Sequence, residues 1–350
     1  MRRSLYLVLA LALFSCKKEE VKKDFKPSFA EVTVDTIMTD SISIRALAID
    51  GDKVWYAGSR GKYGSVNLTD EKAFNGVIAQ DSVMPEFRAI AQTKSDIFIL
   101  NVGTPGLLYK ISKDGKRMKV VYTETGEKVF YDSMKFRNDK EGIAMGDPTD
   151  GCLSVITTSD GGEKWTKILC DKLPKATEGE AAFAASNTNI IVRGDKTWIV
   201  SGGKKSRVYY SPDKTKTWEV FDTPIVQGTE TQGIYSADFY DENVGFAVGG
   251  DYTKADVMTG NKIITTDGGK TWKRIAENSG FGYASCVQFM PDSDGSEIFA
   301  AGPSGIFYSY DQGATWKKIY DGKDINIITF KDNKTIIAAG QNRIIKLALK

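Results

Sequence analysis

Apolar runs of four to seven residues recur along the chain, each cut short by glycine, asparagine or aspartate. The runs come in groups. A first run is followed by one ending in glycine, as in "WYAG" (55–58), "IAMG" (143–146), "AVGG" (247–250), "FAAG" (299–302) and "IAAG" (337–340). A third run then enters a polar loop built around an aspartate. Strands this short, punctuated this often by turn residues, predict an all-β protein, and no long segment carries the 3.6-residue period of a helix.

The polar loop is the sharpest repeat. Ser/Thr-x-Asp-x-Gly-x-x-Trp occurs as "TSDGGEKW" (158–165), "TTDGGKTW" (265–272) and "SYDQGATW" (309–316). A fourth copy, "SPDKTKTW" (211–218), has Thr215 where glycine is expected. "SKDGKRMK" (112–119) and "NLTDEKAF" (67–74) are degenerate copies. The aspartates at 114, 160, 213, 267 and 311 are spaced by 46, 53, 54 and 44 residues, near the period of a propeller blade. The loop chemistry reads as scaffolding. The carboxylates of Asp160, Asp213, Asp267 and Asp311 are placed to accept turn N–H groups, and glycine at the fifth position permits positive φ. Trp165, Trp218, Trp272 and Trp316 are four of the six tryptophans, all in one frame, as packing under a hairpin requires. Neither these loops nor "DSDGSE" (292–297) has the ligand set of a calcium loop, so no metal is expected.

Seven units are read, with inner strands starting near Ile44, Phe87, Tyr131, Ala181, Ile234, Tyr283 and Asn326. The last contains three strands, and the orphan "EVTVDTI" (31–37) can supply its fourth. The expectation is one domain over residues 30–350, a seven-bladed β-propeller of four-stranded antiparallel blades, closed by the N-terminal strand joining the last blade. The Asp loops are then third–fourth turns on one face. Second–third turns and blade links gather on the other face, around the channel mouth, where ligands collect. That rim nominates Arg45, Arg60, Arg88, Asp147, Glu180, Arg207, Tyr235, Asp251 and Tyr252. Asp147 and Asp251 each follow the glycine ending a second strand, and Glu180 precedes the small-residue run "AAFAAS".

Composition narrows the chemistry. There is no histidine, which excludes Ser-His-Asp and Cys-His catalysis and histidine-bearing zinc sites. Arg2 and Arg3 precede an apolar run, Leu5 to Phe14, too short to span a bilayer. Removing residues 1–15 takes the 47 basic residues to 45, against 45 acidic ones, so the remaining chain has no net field for nucleic acid. Residues 16–29 are charged and read as a flexible tether. Cys152 and Cys170 lie nine residues either side of Gly161, so they either face each other across a hairpin as a disulfide or stay separate buried thiols.

"LFSC" (13–16) resembles a bacterial lipobox, which implies a signal peptide over 1–15 and lipidation of Cys16. Lys18, Glu19 and Glu20 resemble the sorting signals of some outer-surface lipoproteins, implying an outer-membrane anchor facing the periplasm or the outside. The intact loops resemble the Asp-box repeats of bacterial neuraminidases. The whole of residues 30–350 resembles photosystem II assembly-factor-like propellers, and "MGDPTDG" (145–151), "GEAAFAASNT" (179–188) and "VGGDY" (248–252) resemble a lipoprotein subgroup loosely labelled "oxidoreductase". No GxGxxG between strand and helix, CxxC or haem motif supports the redox label, and no cofactor is expected. The favoured reading is a monomeric, envelope-anchored, non-enzymatic platform for a protein or glycan. The alternative is a sialidase-like glycoside hydrolase, for which Arg45, Arg88, Tyr235, Glu180 and Asp147 supply the residue types without the expected Arg-Ile-Pro sequence.

Overall fold

The computed structural model describes residues 25–79 and 84–350; the signal segment, Cys16 and most of the tether lie outside them. Within these residues the chain is all-β, a propeller with two single-turn 3-10 helices, Cys170–Lys172 and Tyr252–Lys254. The strands form six hydrogen-bonded sheets, four of four strands and two of six. Counted by continuous sheets there are six blades, and the expected seven separate blades are corrected accordingly.

The reason lies in one strand. Val32–Asp50 runs for 19 residues, its first part paired to Thr335–Leu349 and its second to Lys53–Gly58. The first and last repeats therefore share one sheet, with strand order Ile325–Asp332, Thr335–Leu349, Val32–Asp50, Lys53–Gly58, Lys62–Asn67 and Ala73–Val77. The pairing of Val32 with Leu349 joins the first and last described strands and leaves the ring no open edge there. Phe29, just before it, stacks on Phe299 and packs at a tilt against Tyr308. Between the sheets lies an aliphatic core, with Ile336, Ile337, Ala338, Ala339, Ile344 and Ile345 fully buried. Each buried isoleucine contributes about 2 kcal/mol of apolar transfer.

The Asp loops have the geometry that their composition implies. In the loop that begins at Ser309, Asp311 accepts from Thr315 N at 2.8 Å and from Ser309 Oγ at 2.8 Å, and Ser309 Oγ accepts from Gly313 N at 2.9 Å. The same set recurs at Asp160, Asp213 and Asp267. The fifth position is left-handed in all four, with φ of 73° at Gly162, 68° at Thr215, 86° at Gly269 and 83° at Gly313. Trp218, Trp272 and Trp316 donate their indole N–H to the carbonyl of that residue at 3.2, 2.9 and 2.9 Å.

These loops also fasten neighbouring repeats. A Cβ added at Gly162 would run into the ring of Phe98, and one added at Gly313 into the ring of Phe246. Gly269 packs on Trp198, whose indole donates to Gly268 O at 2.8 Å. Each of these rings stands on the second strand of the preceding repeat. The matching residue before the Thr215 loop is Ile143, and the two line a cavity of about 380 Å³. Threonine replaces glycine where no ring presses on the loop.

Candidate functional site

One repeat departs from the pattern, and that departure builds the site. After Glu180–Ala181 pairs with Gly202–Gly203, residues 182–189 leave the sheet, and the inner-strand position is taken by Ile190–Arg193. The expected inner strand starting at Ala181 is thus only two residues long. The segment that follows lies in the centre of the ring. Asn187 Nδ2 donates to Ile90 O at 2.7 Å, and its Oδ1 accepts from Met134 N at 2.8 Å. Ser186 Oγ donates to Ser285 O at 2.5 Å, and Thr188 Oγ1 to Ser236 Oγ at 2.7 Å. Small side chains suit this crossing, because the surrounding inner strands leave little width. Asn187 takes φ 59°, a conformation asparagine tolerates.

The plug closes the channel and floors a cavity of about 650 Å³ on the rim opposite the Asp loops. Ala181, Ala182, Ala184 and Ala185 form its base. Arg45, Arg88, Asp147, Tyr235 and Tyr252 all line it, five of the nine rim residues that the repeat frame nominated. Tyr235 stacks flat on Phe183 at 3.8 Å and meets Tyr283 edge-on at 4.7 Å, giving the well an aromatic wall. The Tyr235 hydroxyl donates to Thr231 O at 2.8 Å. Phe183, Tyr283, Glu230, Asp324 and Asn326 also line it and were not read from the sequence. The repeat frame gives Tyr283 and Asn326 only as strand starts, and nothing in a single sequence distinguishes those from any other strand start.

The other four nominated residues are placed elsewhere. Glu180 and Arg207 are partners in a closed ion pair, Nη2 to Oε2 at 2.5 Å, with the Glu180 side chain fully buried. Ser201, Tyr209 and the Thr177 N–H complete the shell around that carboxylate. Asp251 caps the 3-10 turn Tyr252–Lys254, accepting from Thr253 N at 3.0 Å. Arg60 reaches back to the carbonyl and hydroxyl of Ser41 on the outer rim. Cys152 and Cys170 are joined as a disulfide, with Cα atoms 5.6 Å apart. Among the described residues no group of three or more Cys, Asp or Glu side chains is arranged to hold a metal.

The electrostatics of the well are unusual for a surface depression. Burial, and then the positive charge of Arg88, hold the Arg45 guanidinium below its ordinary value. Burial pushes Asp147 up to about 6, although its carboxylate accepts the Ala182 N–H at 2.7 Å. Asp132 behind it is fully buried with neither oxygen hydrogen-bonded, and burial and Asp147 raise it well above the carboxylate range. The raised Asp147 fixes a sign. The folded protein holds the proton more tightly than the unfolded chain, so this group favours folding at pH 4 and opposes it progressively as pH rises towards 6. Asp147→Asn keeps an oxygen for Ala182 N and removes the charge. The variant is expected to gain about 3 kcal/mol over the parent at pH 8, and the gain should largely vanish near pH 4. Urea unfolding at the two pH values checks it; a gain independent of pH would contradict the assignment.

No protein-family model matches this sequence, and no curated protein does. Solved structures do. A structure of YCF48 bound to D1 peptide aligns with a TM-score of 0.65 at 13% identity, covering 93% of this chain and 97% of that one. The streptogramin B lyase structure aligns at 0.65 and 15% identity, covering 93% and 100%. The WD40 repeats of RRP9 align at 0.63 and 11% identity, covering 91% and 97%. At such identities the likeness shows the β-propeller fold, shared here by proteins of different function.

Proposed function

We propose that this protein is an envelope-anchored propeller acting as a non-enzymatic platform, which holds a protein partner at the closed mouth of its channel. The observation that carries the reading is the well itself: a plugged cavity bringing Arg45, Arg88, Asp147, Tyr235 and Tyr252 together beside an aromatic wall. A fold neighbour recorded with a bound peptide supports a protein partner for this propeller. The anchor reading rests on the lipobox-like "LFSC" ending at Cys16. Sialidase-like hydrolysis has less support. It would require Glu180 beside Tyr235, but Glu180 is sealed in its pair with Arg207, and the Tyr235 hydroxyl is committed to Thr231 O.

The test uses the full chain in its native host, with a photo-crosslinking residue in place of Tyr252 at the mouth or of Lys164 on the Asp-loop face. A discrete crosslinked protein is expected from position 252 and not from 164. Cys16→Ser is expected to release the chain from the membrane fraction. Equal crosslinking from both faces, or none from either, would overturn the mouth as the docking site.

A further inference from the structure

The chain enters the propeller on one definite face. Before Val32 joins the last repeat as its outermost strand, residues 28–31 cross the Asp-loop side of the neighbouring repeat. Ala30 N donates to Lys350 O at 2.7 Å, and Phe29 packs on Phe299 and Tyr308. Ser28 Oγ donates to Glu297 Oε2 at 2.9 Å and lies 3.5 Å from the Met290 sulfur. Met290 follows the inner strand of that repeat, Cys286–Phe289, and Glu297 precedes its second strand, Ile298–Gly302. The turn between them bonds directly to an Asp loop, Gln312 N to Ser296 O at 2.9 Å. Ser28 is therefore fastened over the inner half of the Asp-loop face, not on the outer wall.

Covalent geometry then limits where Cys16 can be. Residues 17–27 separate it from Ser28, and fully extended they span at most about 40 Å. A path to the plane of the well must first run outward past two strands, about 10 Å, and then along the wall. The strand Ile298–Gly302 climbs from Glu297 to Pro303, which lines the well, in about 20 Å. A chain drawn taut over that route would use up about three-quarters of its reach. From the Asp-loop side the same residues meet a bilayer directly. That face carries both signs, with Lys164, Lys216 and Lys270 exposed beside Asp139, Glu163 and Glu242. Its charge neither draws it to a lipid surface nor drives it off, so the attachment sets the orientation.

Resting on the envelope-anchored reading above, we propose that the Asp-loop face is the membrane face of this propeller. A lipid on Cys16 holds that face against the headgroups, and the well opens away from the bilayer. A partner at the mouth then approaches from the aqueous side.

The test is energy transfer in nanodiscs of phosphatidylethanolamine and phosphatidylglycerol that carry an acceptor dye on the headgroups. The full chain is taken from its host membranes with a fluorescent residue in place of Lys334, Lys164 or Tyr252. Lys334 lies near the fastening, its carbonyl accepting from Leu349 N. Lys164 is on the same face in another repeat, and Tyr252 is at the mouth. Transfer should be strong and similar from 334 and 164, and about threefold weaker from 252, across the ~20 Å between the faces. Strong transfer from 334 alone means a propeller standing on its edge and overturns the assignment, as does stronger transfer from 252 than from 164. Inserting about 40 Gly/Ser residues after Asp24 should erase the difference between the faces; a difference that survives overturns the tether as its cause. A Cys16→Ser variant that stays in the membrane fraction removes the lipid anchor itself, and the membrane face with it. Equal transfer from all three positions with the position-252 crosslink retained would remove the membrane face and leave the platform. The expected order of transfer without that crosslink would leave the membrane face and remove the platform.

Discussion

Replacing Glu180 by alanine is expected to cost about 3–5 kcal/mol of unfolding free energy, the largest loss among the rim substitutions. The carboxylate is fully buried and accepts from Arg207 Nε at 3.1 Å, from Tyr209 OH at 2.9 Å, from Ser201 Oγ at 2.5 Å and from Thr177 N at 2.8 Å. Alanine would leave the Arg207 guanidinium mostly buried with only backbone and phenol oxygens for company. It would also strip the strand pair Glu180–Ala181 and Gly202–Gly203 of its anchor just before the plug begins. Urea unfolding measures the loss; a change below about 1 kcal/mol would mean that the pair is not closed in solution. Because the effect is on folding, a Glu180 variant that lost ligand binding would say nothing about contact with the ligand.

Gly313→Ala should cost about 2–4 kcal/mol, and Gly162→Ala a similar amount. Both positions hold positive φ, which an L side chain occupies at about 1–2 kcal/mol, and both press against a ring of the preceding repeat. Thr215 occupies the same conformation, but it faces Ile143 across open space. Ile143→Phe alone should therefore crowd Thr215, and adding Thr215→Gly should recover part of the loss. A double-mutant cycle by urea unfolding reads this as a coupling of about 1 kcal/mol. Additive effects would show that the ring and the loop do not touch.

The loops were legible in the sequence because their constraints are local. Asp311 bonds to groups within four residues of itself, so residue type and spacing already specify the turn. The fifth-position glycine was legible as a left-handed residue, but not as the seat of a ring from another repeat. The rim was legible in outline. A frame counted from the Asp loops placed Arg45, Arg88, Asp147, Tyr235 and Tyr252 on the correct face. It missed that Glu180 and Arg207 neutralise each other and that Asp251 is a turn cap, since a charge and its partner 27 residues away look alike whether they meet or not.

What the sequence determined by itself is the periodic part: strands, the Asp loops and the face each turn occupies, all set by contacts between near neighbours in the chain. Tertiary structure alone decided how the repeats group into sheets. Val32–Asp50 continues from one pairing into the next without a break, so the end repeats fuse and the count of sheets falls to six. It alone also decided that "AAFAASNT" leaves its sheet to fill the channel, through hydrogen bonds to residues 97 and 99 positions distant. The physical reason is the same in both cases. A strand's pattern records which side is buried, but not which strand or empty channel lies beside it, and the well with its two arginines exists only where those distant parts meet.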